Sequence, residues 1–168
     1  MGMLACYMEA DRELIERLKT ESGEEIFEEI EEIDEEGEAE VYDLDKLWDG
    51  LHFILTGVSA NSPRENSLLS EAIQGTEMFT DDDDDEFIAY IYPERAAEIS
   101  AALDEFDIEK ALAGFKPHVL AENDIYPDIW EDDETDELRE ELSESFCGLK
   151  EFYQSIADEG KGVIVSIY

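Results

Sequence analysis

Forty-nine carboxylates face only eleven basic side chains in this 168-residue chain, for a formal charge of −38. Any compact form must keep nearly every Asp and Glu in water and gather its apolar residues on one side of each element. Highly charged chains often stay disordered, but such chains lack aromatic and branched apolar residues. Here 43% of residues are hydrophobic and 10% aromatic, and they are spread along the whole length. That is enough for one core, and the length suits a single domain over residues 1–168.

The apolar spacing sets the expected elements. Residues 2–8 read as a short buried strand. Leu14, Ile15 and Leu18 form a helical stripe within Asp11–Lys19. Ser22 stands three residues before Glu25, the spacing of a capping box. It opens a helix that turns Ile26, Phe27, Ile30 and Ile33 inward and ends at Gly37.

Asp43 is the expected cap of the next helix, Leu44–Thr56, which Gly57 stops. Leu44, Leu47, Trp48, Leu51, Ile54 and Leu55 share one arc of its wheel, and Phe53 lies opposite. A helix apolar on two sides belongs at the centre of a domain. Ser59–Ser67 reads as a loop, Leu68–Gln74 as a short helix and Phe87–Tyr92 as a strand.

Pro93 fits a first helical turn leading into Ala96–Phe106, and Asp107–Phe115 adds a further turn or two. His118–Pro127 is irregular by its spacing. Leu138, Leu142, Phe146, Leu149, Tyr153 and Ile156 then mark a long helix over 133–158, and Val163–Tyr168 closes the chain as a strand. The expectation is an α+β domain, mostly helical, with a small sheet of about three strands.

Cys6 and Cys147 form neither a metal-ligand cluster nor a disulfide framework, which points to a reducing cytosol. The apolar opening through Cys6 is too short for a signal-peptide core, and no stretch has the length needed to span a bilayer. The charge repels nucleic-acid phosphates and anionic membranes and favours a basic protein partner. No phosphate loop, dinucleotide fingerprint or nucleophile elbow occurs, so no cofactor is expected.

The run Leu44-Asp45-Lys46-Leu47-Trp48-Asp49-Gly50-Leu51-His52-Phe53-Ile54-Leu55-Thr56-Gly57 resembles the hallmark of the YfbM-like family, a bacterial domain of unknown function. Met1-Gly2-Met3, Leu69–Gly75, Ile125–Trp130 and the closing Leu149–Tyr153 helix are also similar, in the same order. The resemblance implies a single α+β domain with the Lys46–Gly57 helix near its centre. It brings no catalytic residues with it. The acidic stretches Glu24–Glu40 and Asp81–Glu86 depart from the family pattern.

Two candidate sites follow. His52 lies at the edge of the apolar arc beside Asp45, Asp49 and Thr56, where an imidazole could act as base or ligand. The alternative for that residue is a half-buried histidine satisfied by a carboxylate or a backbone carbonyl. Trp48, Tyr126 and Trp130 could line a cleft with it, although aromatics on a buried stripe more often build core.

The Asp81–Asp85 run fails the EF-hand template, with Glu86 where Gly is needed and Tyr92 where Glu is needed. It reads as a solvated loop, and no metal site is expected. The second candidate is the acidic face. Glu21–Glu40 holds twelve carboxylates and no basic residue. Helical throughout, it would span about 30 Å, one charge per ~2.5 Å; a DNA strand carries one per ~3.4 Å.

Glu28, Glu29, Glu32 and Glu36 lie off the apolar stripe and are the expected contact residues; the alternative for this face is a solubilising surface, such as a salty habitat favours. The sequence thus favours a non-enzymatic acidic binding protein, in its concrete form an inhibitor or immunity protein with a nucleic-acid-like surface. The other reading is a small-molecule-binding or enzymatic domain with a cleft around Trp48, His52 and Trp130.

Overall fold

A computed structural model describes residues 3–79 and 87–168, so the Asp81–Glu86 run lies outside the described residues. In chain order it places β1 (Ala5–Ala10), α1 (Arg12–Leu18), α2 (Gly23–Glu36), β2 (Val41–Asp45), α3 (Trp48–Thr56), α4 (Leu68–Gln74) and β3 (Glu77–Met78). There follow β4 (Phe87–Ile91), α5 (Pro93–Glu105), α6 (Ile108–Ala113), α7 (Pro117–Glu122), a 3-10 turn at Asp132–Glu134, α8 (Thr135–Asp158) and β5 (Gly162–Ile167).

The strands form one antiparallel sheet in the order β2-β1-β5-β4-β3. Five strands replace the expected three, and the two that were missed, β2 and β3, are its edges. Edge strands bury little and carry weak apolar patterns. β5 sits in the middle and is buried throughout, which is why Val163–Ile167 is apolar at every position but Ser166.

Alternation along the strands feeds two cores. Ala5, Tyr7, Ile91, Val163 and Val165 face the larger one, with α3 to α8. Met8, Ala10, Ile88, Tyr90 and Ile164 face a smaller one, closed by Ile15, Leu18, Ile26 and Ile30 of α1 and α2. The sheet is therefore covered on both faces.

The capping box at Ser22 and Glu25 forms as its spacing predicts, and Gly37 ends α2 in a left-handed turn with φ +67°. Pro93 opens α5 at the first-turn position expected of it. His118 belongs to helix α7 and not to an irregular segment, and its Nδ1 stands 3.1 Å from Asp132 Oδ1.

The central helix is shorter than Leu44–Thr56. Leu44 ends β2 with its side chain in the core, and the helix starts at Trp48. Asp43 does not cap it; its Oδ1 accepts from Asp45 N–H at 2.8 Å, where Asp45 takes a left-handed φ of +60° and ends the strand. The helix carries six buried residues, among them Asp49, Gly50 and His52.

A Cβ at Gly50 would overlap the Trp130 ring. Gly50→Ala should gain helix propensity of about 1 kcal/mol but lose more to overpacking, which costs about 1–3 kcal/mol. Net destabilisation with an altered near-ultraviolet tryptophan signal is expected. A more stable variant with an unchanged signal would show that Trp130 does not pack there.

Candidate functional site

The residues singled out on α3 are packed shut. His52 is 0% exposed, and its ring is engaged at both nitrogens. Nδ1 lies 2.8 Å from Val58 O, so it carries the proton and donates to that carbonyl. Nε2 is then the acceptor for the Ser70 hydroxyl at 2.6 Å. Thr56 Oγ1 donates back to His52 O at 2.8 Å, one helical turn away. The ring ties α3 to the loop after it and to α4.

Burial lowers the His52 pKa below the usual imidazole value, a shift opposed by the Val58 carbonyl and the charge of Asp49. The folded pKa thus lies below the unfolded value of about 6.5, and folding excludes the proton. Its contribution to stability is complete above about pH 6.5 and lost as pH falls below it. The His52 imidazole of the folded protein should titrate with a midpoint below the unfolded value. A midpoint at or above the unfolded value would contradict the buried geometry.

Asp49, read in the sequence only as a neighbour of His52, is also 0% exposed. Its carboxylate accepts from Ala60 N at 2.7 Å, Tyr126 N at 2.9 Å and Ser59 Oγ at 3.1 Å. It pins two loops, 57–60 and 125–127, to the central helix. A buried carboxylate needs such donors, but Asp49 lies outside the apolar arc of Leu44, Leu47, Trp48, Leu51, Ile54 and Leu55, so its helical phase gave no signal of burial. The partners themselves are distant in sequence and could not be read.

The aromatics are held in the same way. Trp48 donates from Nε1 to Met3 O at 3.0 Å and lies 5.6 Å, centroid to centroid, from the Tyr126 ring. The Tyr126 hydroxyl accepts from Met3 N at 2.5 Å. Trp130 donates to Ile125 O at 2.8 Å and packs edge-on to Phe115. Trp48, His52 and Trp130 line none of the five best-formed grooves among the described residues. Tyr126 alone reaches one, a groove of about 560 Å³ beside β2.

Ser70 entered the sequence reading only within the Leu69–Gly75 run and not as a site residue, yet it stands where a nucleophile would stand beside His52. It lines a groove of about 650 Å³ with Arg64, Asn66 and Arg95, but is itself only 2% exposed. Arg95 is engaged by Glu71 and Glu98.

The acidic face is open. Nine carboxylates project from α2 between Gly23 and Glu36, over a helix of about 21 Å. That is shorter than the length expected for Glu21–Glu40, because the chain turns at Gly37. Glu28, Glu32 and Glu36 are exposed, and Glu29 pairs with Arg17 of α1.

Between α1, α2 and the strand ends runs a groove of about 630 Å³. Glu29, Glu32 and Glu36 line it with Glu9, Asp11, Glu13 and Glu38; Glu28 does not. Its two cations are already engaged, Arg17 by Glu29 and Lys161 by Asp11 at 3.9 Å. Crowding by Glu38 first, and by Glu32 more weakly, raises the Glu36 pKa. Contact with Glu9 raises that of Glu159.

Cys6 and Cys147 are free thiols. Among the described residues no group of His, Cys, Asp and Glu is placed to hold a metal ion, and no helix is long and apolar enough to cross a membrane.

A family model described as a domain of unknown function, DUF1877, matches residues 1–166. Protein YfbM of Escherichia coli strain K12 is 33% identical over 129 residues, 77% of this chain and 75% of that protein. The crystal structure of YfbM from Escherichia coli, a protein of unknown function, superposes with a TM-score of 0.78 at 26% identity, covering 98% of this chain and 99% of that one. The resemblance carried by residues 44–57 is borne out.

Proposed function

The chain belongs to the DUF1877 family, whose domain has no assigned activity, and we propose that it is an acidic binding protein for a basic partner. The groove between α1 and α2 supports this reading. Seven carboxylates line it, and both of its cations are already paired. Carboxyl groups crowded enough that Glu38 raises the pKa of Glu36, and Glu9 that of Glu159, sit in an uncompensated negative potential. A Lys- or Arg-rich segment entering the groove relieves that potential, and the free ends of Glu32 and Glu36 offer it acceptors. An inhibitor or immunity protein covering the basic face of a toxin or nuclease is the concrete form.

Replacing Glu28, Glu29, Glu32 and Glu36 by Gln should leave the fold intact, since Ile26 and Ile30 keep the buried stripe. An arginine-rich peptide should then associate about tenfold more slowly at low salt, with the difference shrinking as salt screens the field. A rate that ignores both salt and the four substitutions would end this reading.

The enzymatic reading has one observation on its side, the Ser70 hydroxyl hydrogen-bonded to His52 Nε2 at a groove wall. Both side chains are closed to solvent, so the pair serves the fold. Covalent labelling of Ser70 by a fluorophosphonate, lost in Ser70→Ala, would reverse that judgement.

A further inference from the structure

Among the described residues the sheet ends at β2, with no strand on its outer side. Tyr42, Asp43, Leu44 and Asp45 alternate across the sheet, yet all four line the same groove of about 560 Å³. The groove therefore follows the backbone edge of the strand and not one of its faces. Glu141 and Glu144 of α8 line it as well.

The backbone at this edge is available for pairing. Glu9 N–H donates to Glu40 O at 2.9 Å, and Met8 stands opposite Val41. Antiparallel pairing alternates, so Tyr42 bonds inward to β1 while Val41 and Asp43 direct N–H and C=O away from the sheet. The other edge strand, β3, has two residues and offers no comparable length.

Exposed edges are commonly blunted with lysine or proline, and β2 has neither. It carries Asp43 and Asp45, and four carboxylates line its groove against Lys46 alone. A second copy of this chain, with its own charge of −38, is repelled from such an edge. A basic strand is attracted. Tyr42 and Leu47 give the same groove apolar surface for alternate side chains.

We infer that the open edge of β2 takes an extended basic segment of a partner protein as a sixth strand, its backbone pairing with Val41 and Asp43 and its cations meeting Asp43, Asp45, Glu141 and Glu144. The inference rests on the proposed basic partner but places it on a different surface from the α1/α2 groove. Main-chain bonds supply affinity in this mode, and the carboxylates select the sequence.

The probe is a fluorescent peptide alternating Lys and Val, about eight residues long, added to the unaltered protein at low salt. It should bind saturably and slow amide exchange at Val41 and Asp43 by about tenfold or more. The same peptide N-methylated at alternate residues should bind at least about tenfold more weakly, because it cannot complete the ladder. Asp43→Lys with Glu144→Lys should weaken the plain peptide about tenfold, and the four Gln substitutions on α2 less than about twofold.

Failure of the plain peptide to bind overturns the inference, as does equal binding of the N-methylated one. If the α2 substitutions abolish binding and the β2 pair is silent, this inference falls and the α1/α2 groove stands. If the peptide binds and neither set matters, both readings fall.

Discussion

Asp49→Ala is expected to destabilise the protein by about 3–5 kcal/mol, the largest effect of any single polar substitution on the central helix. The carboxylate is fully buried and accepts two backbone N–H groups, from Ala60 and Tyr126, together with the Ser59 hydroxyl. Truncation strands both N–H groups away from water, at about 1–3 kcal/mol each. It also frees the two loops that Asp49 holds against α3.

Asp49→Asn keeps the shape and one acceptor oxygen but turns an amide toward the remaining donor, so about half the loss should persist. Urea unfolding monitored by tryptophan fluorescence measures both. An Asp49→Ala midpoint equal to that of the parent would show that water reaches those donors.

Elements with a local signal were legible. The Ser22–Glu25 box, Pro93 at the start of α5 and the Leu138–Ile156 stripe of α8 each rest on residues within a few positions of one another. The start of α3 was misread because two periods overlap. Tyr42 and Leu44 point inward and Asp43 and Asp45 outward, the alternation of a five-residue strand. Leu44 nevertheless falls three positions before Leu47 and four before Trp48, and so joins the helical arc. β3, two exposed residues long, leaves no pattern to find.

The candidate sites divide along the same line. The exposure of Glu28, Glu32 and Glu36 follows from their helical phase relative to Ile26 and Ile30, and the structure places them in solvent. The environment of His52 does not follow from phase. Its partners are Val58 and Ser70 and not the carboxylates at i−3 and i−7, because tertiary packing chose them. The sequence shows the histidine at the edge of the apolar arc, where a backbone carbonyl could satisfy it, but not which carbonyl does. It held no local trace of the groove beside β2, which exists only once Tyr126 and α8 are brought to that edge.

Leu51→Ala should cost about 2–5 kcal/mol, toward the upper end. Leu51 is 0% exposed in the larger core, on a helix that packs against α4, α6 and α8. The cost of a deletion depends on how far neighbours relax into the space. Here they cannot move independently: Tyr153 of α8 donates to Ala72 O and Tyr7 of β1 to Ile73 O, at 2.8 and 2.6 Å, which fixes α4 against the helix and the sheet behind it. The cavity should therefore persist.

Leu51→Met, which nearly conserves volume, should lose less than about 1.5 kcal/mol. Glu28→Ala on the exposed face should stay within about 0.5 kcal/mol, on the stabilising side if relief of repulsion dominates. Chemical unfolding of the three variants gives the order directly. If Leu51→Ala unfolds with Glu28→Ala and not well before Leu51→Met, α3 is not the centre of the core and the geometry built around Asp49 and His52 loses its support.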